Sequence, residues 1–111
     1  MGGGVPKECK VYMVDIDGTI CTTVENGSYS QAVPIKKNIV RINQLYDKGN
    51  KIIYWTARGA TTGIDWADIT KNQLDGWGVR YHELKMGKPF YDIWIDDKAM
   101  TFEELSGKND D

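Results

Sequence analysis

An α/β fold built on a parallel sheet is predicted by three observations. Two nearly continuous apolar runs, "KVYMVDI" at 10–16 and "KIIYWT" at 51–56, read as buried strands. Helical patterns lie between and after them, which is the alternation expected of strands joined by right-handed crossovers. The chemically conspicuous residues fall where strands end, and in open α/β sheets ligands bind at the carboxyl ends of the strands.

The first run ends in Asp15-Ile16-Asp17. From Pro34, residues Ile35, Ile39, Ile42 and Leu45 recur at helical spacing while Lys36, Lys37 and Arg41 fall elsewhere, and Gly49 is a suitable stop, so a helix is predicted over 34–48. The second strand, 51–56, ends in Thr56-Ala57-Arg58. A Gly/Thr-rich loop follows, then a helix with Ile64, Ala67, Lys71, Leu74 and Trp77 on one face and "GWG" as its stop. Strands at 79–82 ("VRYH") and 91–95 ("YDIWI") and a short helix near 101–105 complete the prediction. Residues 10–107 form the expected domain, with 1–9 frayed or tag-like and 108–111 a flexible end.

At 111 residues one core suffices without staples. A net charge of -2 and a pI near 5.4 give no basic field, which argues against a nucleic-acid partner. Cys9 and Cys21 are expected to be reduced thiols, no apolar run reaches the roughly 18 residues of a membrane span, and a cytoplasmic protein is expected.

Two carboxylates one residue apart repel each other and resist burial, so Asp15 and Asp17 call for a cation, a shared proton or a chemical task. In order along residues 11–98, "DIDGTI", "YWTARG", "GKP" and "IWIDD" resemble the four motifs of the haloacid dehalogenase superfamily of phosphohydrolases. That resemblance implies a three-layer, Rossmann-like domain and an aspartyl-phosphate mechanism. In it Asp15 attacks phosphorus, while Asp17 protonates the leaving alkoxide and later deprotonates water. The division of labour requires Asp17 protonated while Asp15 is charged, which a neighbouring like charge favours by raising one pKa of the pair.

The resemblance also implies Mg²⁺, held by the Asp15 carboxylate, the Asp17 backbone carbonyl and Asp97, with Asp96 behind it or bound through water. Thr56 follows as a hydroxyl donor to a phosphoryl oxygen and Lys88 as a point charge beside Asp15, with Lys85 a weaker candidate for that place. Backbone N–H groups of Ile16, Asp17 and Ala57 are expected to complete the phosphate cradle. Arg58 is expected either to touch a substrate anion or to lie on the plain surface.

Each residue alone has an ordinary explanation. A Thr or Lys at a strand end is usually a solvated terminus, and Asp96-Asp97 alone reads more readily as a turn or helix cap than as a metal site. Their ordered set on one rim carries the assignment. His82 has no partner nearby in sequence and reads as structural, and Trp55, Trp66, Trp77 and Trp94 read as core or interface.

Residues 18–33 have room for a turn and a small hairpin tipped by "ENG", and 58–88 for one helix and one strand, so no cap domain is expected. Such a site is open to a large substrate or covered by a neighbouring subunit, and a homo-oligomer is expected. The leading expectation is a small phosphomonoester as substrate, such as a sugar phosphate of polysaccharide synthesis. Two alternatives are a polynucleotide 3′-phosphatase and a phospho-accepting receiver module. The acidic balance weighs against the first, and motif order against the second.

Overall fold

β-branched and aromatic residues suit a pleated, packed surface, and the strands form where they cluster. The computed structural model describes residues 9–25, 27–60 and 62–107. β1 (Val11–Val14) and β2 (Lys51–Trp55) run parallel, Val11 opposite Lys51 and Val14 opposite Tyr54. β3 (Glu83–Lys85) joins β2 on its other side, again parallel, so the sheet order is β1-β2-β3.

α1 (Lys36–Asp47) connects β1 to β2, and α2 (Ala67–Gly76) connects β2 to β3. The strand order advances in one direction, so two right-handed crossovers place both helices on the same face. The side chains agree. Tyr12, Val14, Ile52, Tyr54 and Leu84 join Ile39, Ile42 and Leu45 of α1 and Leu74 of α2 in one hydrophobic cluster. The opposite face carries Val11 and Met13, 59% and 49% exposed, and a Lys51–Glu83 ion pair at 2.9 Å.

Two layers therefore stand where three were expected among the described residues, and β1 is covered on one face rather than both. A third layer needs helices from crossovers running the other way from β1. After β3 the described residues supply only α3 (Phe102–Ser106), and its Leu105 joins the existing cluster.

Other expectations shift. α1 begins at Lys36, because Pro34 makes an antiparallel bridge to Cys21, and it stops as expected at Gly49, whose φ of 95° suits glycine. α2 begins at Ala67, leaving Ile64 in the preceding loop and 55% exposed. Its inward face carries buried Thr70 where Lys71 was expected. The strand predicted at 79–82 forms four residues later. Val79 drops into the core, and His82 takes up the ladder, its N–H donating to Ile52 O and its Nδ1 accepting from Ile52 N–H at 3.1 Å. His82 also stacks on Tyr46 at 4.7 Å, so it is structural.

The strand predicted at 91–95 does not form. Residues 89–101 are exposed throughout, Ile93 at 79% and Ile95 at 92%. A parallel strand in the same sheet needs a crossover of about a dozen or more residues, whereas Tyr91 follows the end of β3 at Lys85 almost at once. The short helix at the end forms as expected, with a complete capping box between Thr101 and Glu104.

The described residues of 18–33 fold as a loop with a single-turn helix at Tyr29–Gln31 in place of a second hairpin strand. Its ends are tied by Thr22 N–H to Val33 O and Ile35 N–H to Ile20 O. Asn26 at the expected "ENG" tip, residues 1–8 of the expected frayed terminus and residues 108–111 lie outside the described residues.

Tyr54 is fully buried, and its hydroxyl is without a hydrogen-bond partner among the described residues; burial raises its pKa. An unpaired buried hydroxyl is a standing cost. Tyr54→Phe is expected to stabilise the chain by about 1 kcal/mol, read as a higher Tm in thermal unfolding.

Candidate active site

The site forms at the carboxyl ends of β1 and β2, where the chain must leave the sheet abruptly. Gly18 makes this departure with φ 83°, and its N–H donates to Cys21 O, while Thr19 and Ile20 N–H both donate to Ile16 O. This tight turn leaves Asp15 and Asp17 on the rim while Ile16, between them, is fully buried.

Asp15 is the accessible carboxylate, 40% exposed at its side chain. Its Oδ1 accepts from Ile16 N–H at 2.8 Å, so that N–H, expected in the phosphate cradle, serves Asp15 here. Its Oδ2 faces Lys88 Nζ at 3.6 Å. The backbone delivers Lys88 to that spot: Gly87 takes φ 81°, and Lys88 N–H donates to Thr56 O at 3.0 Å. Lys88 Nζ also lies over the rings of Tyr91 and Trp94, at 5.0 and 5.7 Å from their centroids. Lys85, its rival, ends β3, where its carbonyl accepts from Thr56 N–H.

Thr56 lies at the floor, 1% exposed, with Oγ1 accepting from Arg58 N–H at 3.1 Å. Ala57 sits between them on the rim and closes the turn, its carbonyl accepting from Ala60 N–H. The next turn depends on Gly59, where a Cβ would meet Ile64 O at 2.1 Å.

Arg58 is neither a substrate-facing cation nor a surface residue, as the sequence led us to expect. It is 2% exposed, and its guanidinium clamps Asp17 with two hydrogen bonds, Nε to Oδ2 at 3.0 Å and Nη2 to Oδ1 at 2.9 Å. Nη1 donates to Thr70 Oγ1 and Gln73 Oε1, and the plane lies over Tyr29 at 4.8 Å. Gln73 is held in turn by donating to Tyr29 O at 2.7 Å. A planar fork matches a carboxylate in this bidentate way, and neighbouring acceptors satisfy its remaining donors, which a buried guanidinium requires.

Cys21 sits beneath this pair, its Sγ 3.5 Å from Asp17 Oδ1. Burial first, and the Asp17 charge second, push its pKa up to about 12. It is therefore a protonated, unreactive thiol at neutral pH. Neither Cys9 nor Cys21 is in a disulfide among the described residues.

Thr70, Gln73 and Tyr29 escaped the sequence reading. The one signal available was that Thr70 and Gln73 share the inward face of α2 with Leu74, two polar residues where apolar ones were due.

Asp96 and Asp97 are not brought to this cluster. They follow the exposed segment, where Asp96 forms a turn, accepting from Lys98 N–H at 3.0 Å and from Trp94 Nε1 at 3.3 Å. Those bonds, the Lys98 N–H foremost, lower its pKa. Among the described residues no three His, Cys, Asp or Glu side chains form a set able to hold a metal ion. Asp15 and Asp17 bring two carboxylates to the rim, a set that Mg²⁺, which keeps several waters and uses one or two carboxylates beside substrate phosphate, could share. Two surface grooves flank α2, one lined by Ser30, Asn72 and Gln73 and the other by Val40, Asn43 and Gly78, and neither includes a strand-end residue.

The fold and site thus define a small α/β protein with a carboxylate pair at the carboxyl end of its first strand, one member open beside Lys88 and the other locked by Arg58. No family model and no curated protein matches the chain. It is similar to a crystallised MCSG target protein from Vibrio cholerae, at 28% identity and a TM-score of 0.79, over 90% of this chain and 89% of that one. Among the described residues, no helix is long and apolar enough to cross a membrane.

Proposed function

We propose that this protein is a phosphomonoester hydrolase of the capless haloacid dehalogenase type, acting through an aspartyl-phosphate on Asp15. The observation that carries this reading is the convergence of Asp15, Asp17, Thr56 and Lys88 on one rim, although they come from three separate stretches of sequence. A nucleophile for phosphoryl transfer must be ionised, accessible and close to positive charge that offsets the phosphoryl oxygens. Asp15 meets the last two conditions, with Lys88 Nζ at 3.6 Å.

In the proposed reaction an Asp15 carboxylate oxygen bonds to phosphorus as the ester oxygen departs, and Lys88 and the Thr56 hydroxyl balance charge on the transferring group. Asp17, once one of its oxygens has exchanged an Arg58 hydrogen bond for a proton from solvent, supplies the leaving oxygen with that proton and takes one from water in the second step, which releases inorganic phosphate and restores Asp15. To reach the leaving oxygen, Asp17 must exchange one hydrogen bond from Arg58. The clamp thus sets where Asp17 rests between turnovers.

Mg²⁺ is the cofactor this reading calls for, and when bound it supplies charge neutralisation at the phosphoryl group. The exposure of Asp15 and the absence of a cap in the sequence suit a small phosphorylated metabolite such as a sugar phosphate, in the cytosol. The test is phosphate release from an aryl phosphate with Mg²⁺ and with excess chelator. Turnover that needs Mg²⁺ is expected, and full activity in chelator would refute the assignment.

A further inference from the structure

The aromatic residues of the segment predicted as a last strand collect around the ammonium of Lys88 instead of pairing with the sheet. Nζ lies 5.0 Å from the Tyr91 ring centroid and 5.7 Å from that of Trp94, with the Tyr91 hydroxyl 3.4 Å away. The two rings meet edge-on at 5.1 Å, and Trp94 meets Trp55 edge-on at 6.1 Å. Trp94 Nε1–H donates to Asp96 Oδ2 at 3.3 Å, which fixes the indole from a further side.

Trp55 is the last residue of β2, and the carbonyl of Thr56 after it accepts Lys88 N–H. Backbone and side chain of Lys88 are thus both referred to one strand end, the first through a hydrogen bond and the second through a stack of rings. A lysine needs such a seat, because its charge rides on a flexible four-carbon stem and is strongly hydrated when free. Here the side chain is only 11% exposed, and Nζ stands 3.6 Å from Asp15 Oδ2. That is beyond the roughly 2.7–2.9 Å of a charge-assisted hydrogen bond. Ring faces are negative and attract the ammonium. They draw it off the carboxylate, so Oδ2 keeps its lone pairs for an electrophile and Nζ keeps its protons for an arriving anion. A charge held out of water also acts more strongly on its neighbours.

We propose that Tyr91 and Trp94 are positioning residues, which hold the Lys88 ammonium beside Asp15 but short of a direct hydrogen bond, ready for a phosphoryl oxygen. The use made of the ammonium rests on the phosphatase reading, whereas the aromatic seat does not.

Two experiments test this. The first is a cycle of substitutions read on aryl phosphate hydrolysis. Trp94→Leu is expected to lower kcat roughly tenfold, the order that a desolvated cation–π contact supports, with KM changed less. Trp94→Phe keeps a ring face and is expected to recover most of that loss. A positioning residue acts through its partner, so in a Lys88→Met background Trp94→Leu is expected to cause no further loss. An equal loss in both backgrounds would show that Trp94 only supports the fold, and would overturn the proposal. The second experiment reads the seat without turnover. In the proton NMR spectrum of the wild type the Lys88 ε-methylene signal is expected upfield of the other lysines, shifted by the ring currents, and Trp94→Leu is expected to return it toward them. A Lys88 signal among those of the exposed lysines would overturn the proposal whatever the activity. A wild type that hydrolyses no phosphate ester yet shows the upfield signal refutes the phosphatase reading and upholds the seat.

Discussion

Arg58→Ala is expected to destabilise the chain by about 3–5 kcal/mol, because it leaves a buried carboxylate contact uncompensated. The guanidinium side chain is fully buried and touches four residues on three parts of the structure, Asp17 after β1, Tyr29 in the single-turn helix, and Thr70 and Gln73 on α2. Its removal orphans the acceptors on Asp17, Thr70 and Gln73. The conservative variant separates charge from geometry. Arg58→Lys keeps one positive charge but cannot make the two parallel bonds to Asp17, so it is expected to recover only part of the loss. Denaturant unfolding of wild type and both variants checks this, with the midpoint ordered wild type, Lys, Ala. An Ala variant within about 1 kcal/mol of wild type would show that the clamp is no more than a surface pair.

Asp15→Asn is expected to abolish hydrolysis of an aryl phosphate, by a factor on the order of 10⁴ or more in kcat, while leaving stability nearly unchanged. The amide keeps the volume and the oxygen that accepts Ile16 N–H. What it loses is the anionic oxygen that faces Lys88 at 3.6 Å, a partly exposed contact of small stabilising weight. The two measurements together separate a chemical role from a structural one. An Asn variant that turns over at the wild-type rate, or an active wild type that gives no hydroxylamine-sensitive phosphoprotein, would overturn the role proposed for Asp15.

The contrast between the two members of the carboxylate pair follows from their surroundings. Asp15 is open and lightly held; Asp17 is held by a guanidinium that is itself built into the fold. Residues i and i+2 of a strand share a face, but the turn closed on Ile16 O breaks that register here and leaves Asp15 to solvent and Asp17 to Arg58.

By itself the sequence determined the parallel α/β plan, the helices between strands, the turn at Gly18 and the placing of Asp15, Asp17, Thr56 and Lys88 on one rim. Those features follow from local patterns: apolar runs of strand length, helical spacing and glycines where φ turns positive. Only the tertiary structure decided that both helices share one face, that Arg58 is buried against Asp17, and that the "YDIWI" segment forms no strand and meets the sheet through Trp94 against Trp55. Arg58 meets Asp17 across 41 residues and Thr70 across 12, and no local pattern encodes such encounters. The apolar alternation of 91–95 was legible as a strand, but alternation states a preference for pairing and is silent on the partner. The connection decides that, because the few residues from Lys85 to Tyr91 are too short for a parallel crossover.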